Sequence, residues 1–62
     1  MIPIQHLQPG IRIKLKGDVI AEVLENPGDG NWLLVRWIDC PGQPEAKGKE
    51  VLCYADDVDA VL

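Results

Sequence analysis

The chain contains no serine, no threonine and no phenylalanine, and it has one histidine, one tyrosine and two cysteines. With no aliphatic hydroxyl and with His6 lacking any assigned partner, the usual hydroxyl-based catalytic triads are excluded, and no catalytic residue is expected. The absence of phenylalanine leaves Trp32, Trp37 and Tyr54 as the whole aromatic complement, so Ile, Val and Leu must supply most of the buried volume. Cys40 and Cys53, without a secretory leader in MIPIQHLQPG, do not read as a disulfide framework. Zinc needs about four ligands, and His6 stands far in sequence from both cysteines, so neither a metal nor a cofactor is expected. His6 itself reads as a surface residue near a frayed terminus. No apolar run approaches the roughly 20 residues needed to cross a bilayer. The expectation is a cytoplasmic protein that does not engage membranes.

What is present is enough for one small domain. Among 62 residues, 47% are hydrophobic, and five prolines and six glycines punctuate them, which excludes a disordered chain. A domain of this size buries only about 60% of the surface its unfolded chain exposes, so its stability is marginal. The formal charge of −4 repels phosphate backbones and argues against nucleic-acid binding in general. The one concentration of positive charge is the stripe Arg12, Lys14 and Lys16, which leaves a weak nucleic-acid contact as an alternative.

The segment Ile11-Arg12-Ile13-Lys14-Leu15-Lys16 alternates apolar and basic residues, the period of a strand with one dry and one wet face. Pro9-Gly10 before it and Gly17-Asp18 after it are turn formers. A second strand over Val19 to Leu24 ends in the loop-forming run Glu25-Asn26-Pro27-Gly28-Asp29-Gly30. The third strand, Asn31 to Asp39, is apolar on both faces. Leu33, Val35 and Trp37 point one way, taken as the core, and Trp32, Leu34, Arg36 and Ile38 point the other. Residues Cys40 to Lys49 read as a solvated loop. Glu50 to Ala55 gives a fourth strand, and Asp56 to Asp59 a tight turn before the short ending Ala60-Val61-Leu62, with Asp56 as a candidate cap. Five short strands without a helical period predict an all-β fold, a five-stranded small barrel with one domain over residues 1–62. Its interior takes Ile11, Ile13, Leu15, Val19, Ala21, Val23, Leu33, Val35, Val51 and Cys53, with Val58 and Val61 closing one end.

The Pro-Gly turn before a basic-apolar strand, Gly-Asp-Val-Ile-Ala-Glu-Val, Leu-Val-Arg-Trp-Ile-Asp and Tyr-Ala-Asp-Asp-Val-Asp-Ala-Val occur in an order that resembles the SH3-like small barrels. The resemblance covers nearly the whole chain and implies a short 3-10 turn leading into a fifth strand. The chain is similar to short bacterial proteins that carry a Leu-Val-Arg-Trp strand followed by an acidic stretch. More distantly it resembles the plasmid-borne type II dihydrofolate reductase, whose pore strand Val-Gln-Ile-Tyr aligns with Val51-Leu52-Cys53-Tyr54. That likeness implies an oligomeric pore enzyme in which Tyr54 and a lysine, Lys14 or Lys16, face substrate. The family's glutamine is Leu52 here, and a leucine cannot hydrogen-bond a pterin or a nicotinamide amide.

Tyr54-Ala55-Asp56-Asp57 is also similar to the paired-carboxylate turn of reverse transcriptases. Those sites need a third carboxylate on another strand and an apolar run after the pair, which Asp59 interrupts. The acids therefore read as turn formers. Cys53, between Leu52 and Tyr54 on a strand, reads as an inert core filler.

The second apolar face carries the functional expectation. Ile20 and Leu24 on the second strand share their outward direction with Trp32, Leu34 and Ile38 on the third, with Glu22 and Arg36 as cross-strand partners. A patch of that size on a small domain points to self-association or a protein partner. The binding residues expected are Trp32, Leu34, Arg36, Ile38, Ile20 and Leu24, in a non-enzymatic interaction module.

Overall fold

A computed structural model describes residues 3–62. The fold is all-β: β1 (Arg12–Leu15), β2 (Val19–Glu25), β3 (Trp32–Asp39), β4 (Glu50–Tyr54) and β5 (Val58–Val61), with 3-10 turns at Pro44–Ala46 and Ala55–Asp57. The strands form one antiparallel sheet in the order β4-β3-β2-β1-β5. Strands β4 and β5 are therefore the two edges, and the second 3-10 turn links them in sequence.

The β1–β2 connection shows how local chemistry fixes register. Gly17 at φ 82° and Asp18 at φ 62° reverse the chain in the left-handed region, which glycine and aspartate tolerate best. Leu15 then lies opposite Val19 and Ile13 opposite Ala21, so the apolar positions of both strands fall on one face.

That face is the core, and every strand contributes to it. Ile13, Leu15, Val19, Ala21, Val23, Leu33, Val35, Cys53 and Val58 are buried in a single cluster, with Ile11, Trp37 and Val51 packed against it. A flat sheet cannot bury a face on itself, so the sheet must curl strongly. Bulges supply the bends: the β2–β3 register shifts between Ile20 and Ala21 and again between Val23 and Glu25, and the β1–β5 register shifts between Lys14 and Leu15.

Three further residues join the core from outside the alternating strands. Ile4 is fully buried, Leu7 is nearly so, and Cys40 is 3% exposed at the start of what reads in sequence as a solvated loop. The segment 3–10 is thus a plug over one end of the sheet. Asn26 holds it by donating to the carbonyls of Ile4 and Leu7 at 2.9 and 2.7 Å. Val61, expected to close one end, is 45% exposed: the bulge beside Leu15 sets it opposite the buried Ile13, but it stands at the end of β5, an edge strand of the sheet.

Candidate functional site

The outer face of β3 and β4 is assembled by a ladder without a register shift. Trp32 lies opposite Tyr54, Leu34 opposite Leu52 and Arg36 opposite Glu50. Side chains on directly opposed positions of neighbouring strands touch and exclude water from each other. Tyr54 and Leu52 are nevertheless 57% and 54% exposed, and Trp32 and Leu34 are half-buried beside them. These four side chains form an apolar band that ends at the free edge of the sheet.

A row of charge bounds the band. Glu22 and Glu50 flank Arg36 on the two neighbouring strands, and the guanidinium pairs with Glu50 at 3.1 Å. Both partners are about half exposed, so the pair contributes between about 0 and 1 kcal/mol. Its effect is on the shape of the surface more than on stability.

The bulges decide where the other expected residues fall. Leu24 lies between Val23, which pairs with Val35, and Glu25, which pairs with Leu34, so Leu24 has no partner on β3. Ile38 is skipped in the same way between Trp37, opposite Ala21, and Asp39, opposite Ile20. All three of Ile20, Leu24 and Ile38 are half-buried, and Arg36 is exposed. Along β3, Ile38 stands beyond Arg36 from Trp32 and Leu34, and its β2 neighbour Ile20 stands with it. The structure therefore brings Trp32 and Leu34 together, sets Ile20 and Ile38 past the charged row, and adds Leu52 and Tyr54. The alternation Glu50-Val51-Leu52-Cys53-Tyr54 carries the signal for those two, since its buried member Cys53 assigns both neighbours to the outside.

The loop from Cys40 to Lys49 does not cover the band. Its hydrogen bonds run from Gln43 to Cys40, from Trp37 to Lys49 and from Gly48 to Trp37, which ties it to the far end of β3. Trp37 there lines two shallow hollows of about 240 and 260 Å³. The first also takes in Leu15, Val51 and Cys53, and the second Val19 and Cys40. The indole nitrogen of Trp37 is buried without a hydrogen-bond partner among the described residues.

At the end of β4 the phrase Tyr54-Ala55-Asp56-Asp57 forms the 3-10 turn. The carboxylate that caps it is Asp57, which accepts from the Tyr54 amide at 3.2 Å, and not Asp56. The same carboxylate lies near Cys53. Burial, with a smaller contribution from the Asp57 charge, pushes the Cys53 thiol up to about 11, which keeps it protonated and unreactive near neutrality. Cys40 and Cys53 are both free thiols.

Two cations of the basic stripe, Arg12 and Lys14, stand beside acids. Arg12 lies opposite Glu22, and Lys14 pairs with Asp18 at 3.5 Å. Among the described residues no group of three His, Cys, Asp or Glu side chains is placed to hold a metal ion, and no helix is long and apolar enough to cross a membrane. No protein-family model matches the chain, and comparison with curated proteins and with solved structures found no match.

Proposed function

We propose that this chain is a non-enzymatic interaction module of SH3-like type that associates through the outer face of β3 and β4. The observation that carries the reading is the pairing of Trp32 with Tyr54 and of Leu34 with Leu52. It sets a tryptophan, a tyrosine and two leucines side by side on a surface where, among the described residues, Leu52 and Tyr54 stay more than half exposed. Tryptophan and tyrosine are the side chains that most often dominate binding energy when a partner desolvates them. The charged row Glu22, Arg36 and Glu50 supplies the polar rim that such interfaces have. The nucleic-acid alternative is disfavoured by the acids set against Arg12 and Lys14, and the reductase alternative by Leu52 at the place of a hydrogen-bonding glutamine.

Tryptophan emission followed over a dilution series tests the reading. Association should shift the emission maximum to shorter wavelength as the protein is concentrated, because Trp32 leaves water. Leu34→Glu, on the half-buried outer face, should abolish the shift while the far-ultraviolet spectrum of the sheet is retained. An emission spectrum that never changes with concentration would contradict self-association.

A further inference from the structure

We infer that the hollow between the β1–β2 turn and the loop after β3 binds a small organic anion, a short-chain carboxylate, through Lys16 and the indole N–H of Trp37. It uses none of Trp32, Leu34, Leu52 and Tyr54, so its test and that of the interaction reading stand apart.

The sheet places Trp37 and leaves its nitrogen unserved. Trp37 lies opposite Ala21, whose small buried side chain leaves room for an indole on the inner side of β3. Its main chain is bonded in both directions, donating to the Lys49 carbonyl at 2.9 Å and accepting from the Gly48 amide at 2.7 Å. The backbone is therefore held, and a partner for the ring must come to it. Nε1 of Trp37 is the one side-chain nitrogen or oxygen that is buried without a hydrogen-bond partner among the described residues. A buried donor without an acceptor has given up water for nothing, and native structures rarely leave one so.

Charge separates the two hollows that Trp37 lines. The one beside Leu15, Val51 and Cys53 also takes in Asp57, an acid that opposes an anion. The other has no acid among its lining residues: Val19 and Cys40 give it an apolar floor, with Lys16, Gly17, Gly42 and Gln43 around them. Lys16 forms no ion pair among the described residues, whereas its neighbour Lys14 is taken by Asp18. Its flexible stem lets the ammonium meet a ligand in the hollow. Gly17 and Gly42 have no side chain to stand between the main chain and a ligand, and among the described residues neither amide donates to another main-chain group. Gln43 adds a side-chain amide that can donate.

Donors without a carboxylate, set around an apolar floor, suit a ligand with a carboxylate at one end and hydrocarbon at the other. An inorganic anion would leave Val19 and Cys40 unmatched. The hollow holds about 260 Å³, under the roughly 300 Å³ at which sites for drug-sized ligands begin, so the hydrocarbon is short.

Sodium butyrate tests the site, with butyramide as its uncharged counterpart, both added to isotope-labelled protein at an ionic strength held constant with sodium chloride. Butyrate should move the indole proton resonance of Trp37 downfield and saturably, as a proton that gains an acceptor does, and leave that of Trp32 in place. Butyramide should bind about tenfold more weakly or worse, and Lys16→Gln, at an exposed position, should weaken butyrate about tenfold without affecting butyramide. Leu34→Glu should leave the titration unchanged. A Trp37 resonance that butyrate never moves would show that water alone serves the indole and would overturn the inference. Equal binding of butyrate and butyramide, or butyrate binding untouched by Lys16→Gln, would overturn it too, since the hollow would then be apolar without a preference for charge.

Discussion

The side-chain amide of Asn26 donates to the carbonyl of Ile4, 22 residues earlier, at 2.9 Å, while its carbonyl oxygen accepts from the amide of Gly28 at 2.9 Å. One residue thus shapes the β2–β3 loop and pins the N-terminal plug. Asn26→Ala removes the side-chain donor of the Leu7 carbonyl and leaves the Ile4 carbonyl with the Leu7 amide alone, in a half-buried setting, at a cost of about 1–3 kcal/mol. The urea midpoint should fall by roughly 1–2 M, taking the slope of a small protein.

Ile4 is fully buried although no strand carries it. Ile4→Ala should cost about 2–5 kcal/mol, comparable with the roughly 3–5 kcal/mol that a core of this size supplies, so the variant should be largely unfolded at ambient temperature by circular dichroism. Ile4→Val should lose only about 0.5–1.5 kcal/mol. A terminus that merely frays would show neither effect.

The Cys53 thiol should resist labelling by a disulfide reagent at pH 8 and gain reactivity only as the pH approaches 11. The linkage has a definite sign. The folded state holds the proton more tightly than the unfolded state, whose thiol ionises near 9, so the stabilisation is fully present below pH 9 and is lost as pH rises towards 11. Denaturation midpoints of the native protein minus those of Cys53→Ala should therefore fall between those values. Asp57→Asn keeps an acceptor for the Tyr54 amide and removes the charge, so it should move the Cys53 titration downward.

Asp57→Ala removes the acceptor altogether. The loss should cost about 0.5–2 kcal/mol, as for other capping side chains, whereas Asp56→Ala should be within about 0.5 kcal/mol of the native protein. Thermal melts of the two variants side by side distinguish the capping residue.

Much of this fold was legible because alternation is a local property. Ile11 to Lys16 and Val19 to Leu24 announce their strands and their inner faces, and the turn chemistry of Gly17-Asp18 sets the register between them. Two things do not follow from alternation. A bulge consumes a residue without altering the letters around it, so Leu24 and Ile38 read as members of a continuous patch when each is skipped by the β2–β3 ladder. A plug segment has no period, so the burial of Ile4, Leu7 and Cys40 depends on where the sheet leaves space. The contribution of Leu52 and Tyr54 was legible in principle, since β4 alternates as plainly as β1.

The most direct test of the account is the molar mass of the native protein by light scattering across a dilution series, with Leu34→Glu measured beside it. Reversible passage from dimer to monomer on dilution, with Leu34→Glu folded and monomeric throughout, is the predicted result. A mass equal to that of the single chain at every concentration would contradict the claim that the band formed by Trp32, Leu34, Leu52 and Tyr54 is an interface between copies.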